Sequence, residues 1–395
     1  MSERCEVLVV GGGPTGSLAA LALAAIGREV LLLEAHGARP SGFDERALAL
    51  TRGSVALLEA LGVWARLSVP PTPIRRVRLS VAGAPGGLSF EAADLGAEAL
   101  GAVVGAAELG AALAAALAAS RVRVLAPARL VALRPGEDTI EATVALTEGE
   151  RRLAARLLVG ADGAGSAARE LAGIGLAERG PERVLLVAGG HAERAHEGTA
   201  FLRPAPAGQV ALLPRAGRAV TAVLSPGEGS PPALTAQAFA EAVQGRFGYR
   251  LGRLRFDRPP IAHRLRSQRA AALTAPRLVL LGQAALSVHP VAAQGLNLAL
   301  RDLAHLAERL AEGGDPGEPS RLAAYAGARA PEHRAVLGLT EGLLGLFSPA
   351  SAGVAPLRQL ALMATGRIAP LRRRLLAWLS GGRPPLPALL RGRLP

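Results

Sequence analysis

Val7-Leu8-Val9-Val10-Gly11-Gly12-Gly13-Pro14-Thr15-Gly16, then an alanine-rich helical run, then Glu29-Val30-Leu31-Leu32-Leu33-Glu34, is the stretch that decides the fold. An apolar strand feeds a turn in which Pro14 stands among glycines at 11, 13 and 16. The first glycine permits a tight turn, the second lets backbone approach a pyrophosphate, and the third lets the following helix pack on the strand. The helix N-terminus then faces the negative charge. Glu34 ends the second strand eighteen residues after Gly16, close to the spacing of about 20 expected of a carboxylate that bonds a ribose hydroxyl. The pattern predicts a dinucleotide-binding α/β unit that holds an adenosine diphosphate group.

Composition narrows the class further. With 395 residues, 50% of them hydrophobic, the chain can bury a large core and is expected to form two closely joined domains. A formal charge of +13 and a pI near 11.4 would ordinarily point to nucleic acid or an anionic membrane. Here all 45 basic residues are arginine and are spread along a chain rich in alanine, glycine and leucine. That is the mark of GC-rich coding acting everywhere, not of a binding patch. Aromatic residues, at 3%, are too few for base-stacking platforms, which argues against nucleic acid. The single cysteine, Cys5, allows no disulfide framework and reads as a small core residue in a reducing cytoplasm. No apolar stretch precedes the glycine motif, and runs such as Leu18–Ile26 and Ala111–Ala119 are shorter than the roughly 20 residues a membrane span needs. The chain is expected in the cytoplasm, with peripheral contact to the inner membrane left open.

Along the chain, apolar residues from Ser54 to Trp64 recur at helical spacing, whereas Val77, Leu79 and Val81 alternate with polar residues as in a sheet with one wet face. An alanine helix over Ala106–Ser120 precedes strands near Val122–Leu133 and Thr143–Leu146, and the last third returns to helix. The expected organisation is a discontinuous dinucleotide domain (1–70, 100–175 and 270–330), a sheet-based substrate domain (71–99 and 176–269), and C-terminal helices (331–395).

Two further constellations carry chemistry. Gly160-Ala161-Asp162-Gly163-Ala164-Gly165-Ser166-Ala167-Ala168-Arg169 reads as a strand ending in Asp-Gly, with Ser166 as a plausible helix cap. Ordinary capping explains these residues as well as a ligand does. Gly282-Gln283-Ala284-Ala285-Leu286-Ser287-Val288-His289-Pro290-Val291-Ala292-Ala293-Gln294-Gly295-Leu296-Asn297 follows an apolar strand, and a helix begins near Gly295. Such a start offers unpaired N–H groups to an electron-rich ring edge. Asn297 is the one asparagine in the sequence. The seven histidines show no pair at metal-ligand spacing, and His289 reads as a residue that shapes its loop. Ser166 lacks the strand-turn-helix elbow of a serine hydrolase.

Together these segments resemble the flavin-dependent aromatic hydroxylases of the p-hydroxybenzoate hydroxylase type, whose motifs are an N-terminal GxGxxG, a middle Asp-Gly and a late GDAAHxxxPxxGQGxN. The likeness is greatest to the ubiquinone-biosynthesis hydroxylases, with counterparts at Asp44-Glu45-Arg46-Ala47, Gly198-Thr199-Ala200-Phe201, His289-Pro290 and Thr340–Ser348. The resemblance implies a Rossmann-like FAD-binding domain with a parallel sheet, interleaved with a sheet-based substrate domain and a helical C-terminus. It implies that Gly11, Gly13, Gly16 and Glu34 hold the ADP half of FAD, that Arg46 lies along the flavin, and that Asp162 and Gly163 face the pyrophosphate. Gly282 and Gln283 would meet the ribityl chain, and Pro290, Gly295, Leu296 and Asn297 would border the isoalloxazine. The implied reaction hydroxylates a prenylated phenol with O2 and NADH or NADPH, the protein positioning the ring and excluding water.

Departures from the family pattern include Gln283 for Asp or Asn, alanines at 293 and 299 for glycines, and Gly105-Ala106-Ala107 where the family often has a polar residue before Leu109. Two other readings share these residues. One is a hydroxylase or reductase of the same fold with another aromatic or isoprenoid substrate. The other is a flavin-poor scaffold in a quinone-biosynthesis complex. The tail from Ala355 to Leu379 mixes leucines and Trp378 with Arg372, Arg373 and Arg374, a pattern that suits either core packing or a membrane interface.

Overall fold

A computed structural model describes residues 3–37, 46–81, 87–205, 208–226, 234–289, 293–346, 355–381 and 385–395. The first third holds β1 (Glu3–Val10), α1 (Pro14–Ala25), β2 (Val30–Leu33), β3 (Ala47–Thr51), α2 (Arg52–Ala60), β4 (Thr72–Ile74), β5 (Arg76–Leu79), β6 (Leu88–Glu91), β7 (Gly101–Gly105), α3 (Ala106–Ala118) and β8 (Arg123–Leu125). The middle continues with β9 (Arg129–Pro135), β10 (Ile140–Leu146), β11 (Gly149–Gly160), α4 (Ala167–Leu171), β12 (Leu176–Ala192), β13 (Thr199–Ala205), β14 (Gly208–Pro214), β15 (Ala219–Pro226) and α5 (Ala236–Phe247). The last part comprises β16 (Leu254–Arg255), β17 (Ile261–Ala270), β18 (Thr274–Ala275), β19 (Leu278–Leu280), β20 (Leu286–Ser287), α6 (Gln294–Ala311), α7 (Pro319–Leu346), α8 (Ala355–Arg367) and α9 (Ala369–Gly381).

The first sheet runs β18-β19-β11-β1-β2-β8, and β19, β11, β1, β2 and β8 are parallel. Val7 to Val10 and Val30 to Leu33 are buried throughout, the continuous apolar run a strand needs when both its faces are covered. α1 is buried from Gly16 to Leu23, so small alanines let it lie close against its neighbours α3 and α6. β9 and β10 extend this sheet as antiparallel strands beyond β11, an arrangement the sequence reading did not foresee. The stretch read as strand from 122 to 133 is two strands, broken around the cis Ala126–Pro127 bond.

The second sheet runs β20-β17-β12-β15-β14-β13-β5-β6, with β13 and β5 parallel and the other neighbours antiparallel. Side chains alternate between its faces. Leu186, Ala188, Val210, Leu212, Val220, Ala222 and Leu224 turn to one side, where α5 closes a core with Phe239, Val243 and Phe247. Edge-to-face ring pairs lock it: Phe201 with Phe247 at 5.3 Å and Phe239 with Phe256 at 4.9 Å. The opposite face of this sheet is left for the site.

The C-terminal segment is not one basic helix. α8 packs on β6, and Arg372 at the start of α9 donates to both carboxylate oxygens of Asp94, at 2.7 and 3.0 Å. Leu376 is buried beneath α9, and Leu389 and Leu390 return to the core of the parallel sheet. Among the described residues no helix is long and apolar enough to cross a membrane.

Candidate active site

The loops after β1, β2, β11 and β19 gather at the carboxyl ends of the parallel strands, where open α/β sheets bind ligands. Their glycines fit because nothing larger can. A Cβ on Gly16 would stand 1.8 Å from the Gly11 carbonyl oxygen, and one on Gly11, which has φ of 103°, would stand 2.7 Å from the Ala161 carbonyl oxygen. Gly282, with φ of 61°, presses on Thr15 and so joins the late motif to the first. Glu34 is buried. Its carboxylate accepts the Gly12 and His36 backbone N–H groups, both at 2.7 Å, which ties the tip of β2 to the glycine loop.

Asp162 spends its side chain on α4: one oxygen accepts from the Ser166 hydroxyl at 2.5 Å and the other from the Ala168 N–H at 3.0 Å. Capping, the ordinary explanation, therefore accounts for both Asp162 and Ser166. What this turn leaves open is backbone at Gly163, where a Cβ would meet nothing within 4 Å. Gln283 is exposed beside Gly282, so its longer stem is accommodated by solvent. Arg46 is half-buried and borders a cavity of about 170 Å³ with Val187, Gly189, Asp257, Ile261 and His263.

Helix starts divide into two kinds. α2, α4 and α5 begin under side-chain oxygens of Thr51, Ser166 and Thr235, while α1, α3 and α6 begin with no side-chain cap. Uncapped first turns present free N–H groups and positive dipole ends, the arrangement that holds phosphate or an anionic ring edge. Ala293, preceding α6, adopts φ of 50°, a left-handed conformation that costs an alanine about 1 kcal/mol and a glycine almost nothing. Gly295 has open space around it, and Leu296 packs partly on the core. Pro290 lies outside the described residues, as do Asp44 and Glu45.

The expectation for Asn297 changes. It is 1% exposed, and its oxygen accepts from the Thr51 N–H at 2.9 Å and the Ser54 hydroxyl at 2.7 Å. Its amide donates to the carbonyls of Ala49 and Ala293, at 2.9 and 2.6 Å. All four hydrogen-bonding positions of the side chain are filled, so Asn297 is a strut between α6 and the β3–α2 junction with nothing left for a ring. Only an amide offers two donors and two acceptor sites at that length, which explains an asparagine in so biased a sequence.

The side of the second sheet opposite α5 reaches Arg46 through Val187 and the segment after β20 through Gln209, and its register aligns Ser225 with Gln209 in one row and Val187, Val223 and Ala211 in the next. His289 reaches this side from the segment after β20. It is 2% exposed, and Gln209 donates to its Nδ1 at 3.4 Å. Burial, then the nearby Arg183 charge, holds its pKa down to about 4, so the imidazole is neutral.

Sequence reasoning missed a buried ionic cluster below the site. Asp302 accepts from Arg329 Nε at 2.7 Å and pairs with His333 Nε2 at 2.7 Å; Arg301 donates to Glu332 at 2.6 Å and to Gln294 Oε1 at 3.1 Å. Burial pushes the Asp302 carboxyl up, but the charges of His333 and Arg329 prevail and hold it down to about 2. The cluster fixes the first turns of α6 to α7. Its signal was available: Arg301-Asp302 interrupts an apolar helix face, and Arg329, Glu332 and His333 recur at helical spacing. The remaining candidates are structural. His196 is bonded at both ring nitrogens, burial pushes the Cys5 thiol up to about 12, and the described residues hold no group that could bind a metal ion.

Glycine loops at parallel strand ends, opposed by the open face of a mixed sheet, define a flavin-dependent aromatic hydroxylase. The FAD binding domain family matches residues 4–340, and the chain belongs to that family of monooxygenases. It is 37% identical to the ubiquinone hydroxylase UbiL of Rhodospirillum rubrum, over 98% of this chain and 92% of that protein. It is 30% identical to the 3-demethoxyubiquinol 3-hydroxylase of Escherichia coli, over 96% of this chain and 99% of that protein. The p-nitrophenol 4-monooxygenase PnpA of Pseudomonas putida shares the fold, with a TM-score of 0.76 at 19% identity, over 96% of this chain and all of that one.

Proposed function

We propose that this FAD-dependent monooxygenase hydroxylates a phenol ring bearing a prenyl tail, in ubiquinone biosynthesis, using O2 and NADH or NADPH. The observation that carries the reading is the sheet side of Val187, Ala211 and Val223, which meets Arg46 across a cavity of about 170 Å³. Relatives named as ubiquinone hydroxylases, matching over nearly the whole chain, support the same substrate class.

In this reading Gly11, Gly13, Pro14, Gly16 and Glu34 hold the ADP half of FAD, the backbone at Asp162 and Gly163 meets the diphosphate, and Gly282 and Gln283 meet the ribityl chain. Arg46, Pro290, Gly295 and Leu296 border the ring. The glycine cradle and the uncapped starts of α1 and α6 fit such a group. Bound FAD supplies the redox chemistry that places one oxygen atom of O2 on the substrate. The chain's own part is positional: α6 points free N–H groups at developing negative charge, and the apolar face orients the substrate and keeps water out. Purified protein should take up FAD noncovalently and oxidise NADH or NADPH faster when a prenylated phenol is added. A deletion strain should accumulate the unhydroxylated quinone precursor. Absence of any protein-bound flavin spectrum at saturating FAD would sink the reading.

The substrate's tail lies in a bilayer, and one surface suits a bilayer. Leu357, Leu360, Ile368 and Leu371 are 46–69% exposed on α8 and α9, with Arg367, Arg373 and Arg374 exposed among them. No acidic residue follows Glu341 in the sequence. Leucines flanked by uncompensated arginines match an anionic interface, so association with anionic vesicles should weaken with salt and with Arg373→Gln plus Arg374→Gln. Equal sedimentation with neutral and anionic vesicles would show that the surface does another job.

A further inference from the structure

His289 carries one unexplained group. Its Nε2 is buried and has no hydrogen-bond partner among the described residues. Buried polar groups are almost always paired, so an orphan of this kind marks a place where something else binds. The geometry settles which hydrogen it bears. Gln209 donates its amide N–H to Nδ1, and a neutral imidazole that accepts at one nitrogen donates at the other, so Nε2 carries the proton.

Position gives that N–H its use. Val288, the preceding residue, packs with Leu298, Val336 and Leu337 on the α6–α7 side, whereas His289 meets Gln209 on the free face of the second sheet. That side of the sheet carries Val187, Ala211 and Val223, with Ser225 beside Gln209 and the Arg183 charge near His289, so an aromatic ring there would meet a mainly apolar wall with few hydrogen-bond donors. We propose that His289 Nε2–H donates a hydrogen bond to the ring oxygen of the substrate, with Gln209 setting the tautomer from behind. This assignment rests on the reading of the chain as a phenol hydroxylase. It makes His289 a substrate-binding residue and Gln209 a positioning residue. A neutral donor in an apolar setting favours the more electron-rich form of a phenol, because the bond strengthens as negative charge gathers on that oxygen.

The test compares two probes, 2-geranylphenol and geranylbenzene, which differ by the ring oxygen, titrated into the FAD-loaded protein by flavin absorbance. The parent should prefer the phenol by about tenfold, the discrimination expected when a buried donor is left unpaired. His289→Phe should retain FAD and lose most of that preference, and His289→Gln, which keeps an N–H, should recover part of it. Gln209→Leu should reduce the preference severalfold without displacing FAD. Undiminished preference in His289→Phe, or in Gln209→Leu should the first variant fail to hold FAD, would overturn the assignment and leave Nε2 to an internal water. A parent that holds FAD but responds to neither probe would instead remove the phenol-hydroxylase reading.

Discussion

The two sheets serve the site with different parts of themselves. The parallel sheet offers strand ends, where chemistry belongs to backbone: glycines that permit contact, free N–H groups, and one carboxylate that braces a loop. The second sheet offers a face, where chemistry belongs to side chains on alternate positions of several strands. A strand-end site is compact in sequence because one loop supplies several contacts. A face site is dispersed, since Leu185, Gln209 and Val223 meet only after three strands pair. In the proposed function the first takes the cofactor and the second the substrate.

The largest expected effect breaks the strand-end half. Gly16→Leu would drive its side chain through the Gly11 carbonyl, and the loop must move for the helix to pack. We expect destabilisation beyond about 4 kcal/mol and no bound flavin, read by denaturant unfolding and absorbance. Retained flavin would show that the loop does not make the contact.

The second test uses pH, because His289 sits where the halves meet. Its pKa falls from 6.5 to about 4 on folding, through burial, and that of His305 falls to about 4 for the same reason. The unfolded chain therefore takes up protons between pH 6.5 and 4 that the folded chain refuses. Stability is full above pH 6.5 and declines as pH falls to 4, by on the order of 3 kcal/mol for His289. Asp302 acts in the same sense but lower down, its contribution being lost only as pH falls from 3.8 to about 2. Urea midpoints measured across this range should fall in two stages, and His289→Gln should flatten the upper one.

A smaller effect separates face from end. Val187→Phe fills the cavity beside Arg46, so KM for a prenylated phenol should rise about tenfold while the FAD dissociation constant stays within twofold. Equal changes in both would erase the division. Smallest of all, Ala293→Gly should raise stability by about 1 kcal/mol by relieving the left-handed backbone before α6, as read from the shift in midpoint.

Legibility in the sequence followed the same division. The β1–α1–β2 unit could be read directly, because glycine spacing and a terminal acid leave a local record, and the family motifs located the other loops. Two assignments to the cofactor shifted once side chains had partners: Asp162 caps α4, and Asn297 is consumed inside the protein. Local pattern cannot reveal the Asn297 bonds, whose partners lie up to 248 residues away, whereas the Asp162 bonds are local and capping was one of the two readings the sequence offered. Sequence distance also hid the His289–Gln209 contact, whose partners are 80 residues apart. In the tail the sequence left core packing and a membrane interface both open, and it could not show that Arg372 belongs to Asp94, 278 residues earlier.

The order of strands in the parallel sheet also governs how the protein can be made. β1 emerges first and sits between β2 and β11, while β19, on the far side of β11, spans only Leu278–Leu280. At about 5–20 residues per second, a ribosome leaves the first strand waiting roughly 15–50 s before the sheet can be completed. During that interval an apolar strand edge is open to wrong partners, first that of β1 until β11 is made and then that of β11, and a fragment ending before β19 keeps part of the sheet unpaired for good. Expression yield therefore depends on synthesis reaching residue 280 promptly, and chaperone capture is expected to be strongest on nascent chains shorter than that.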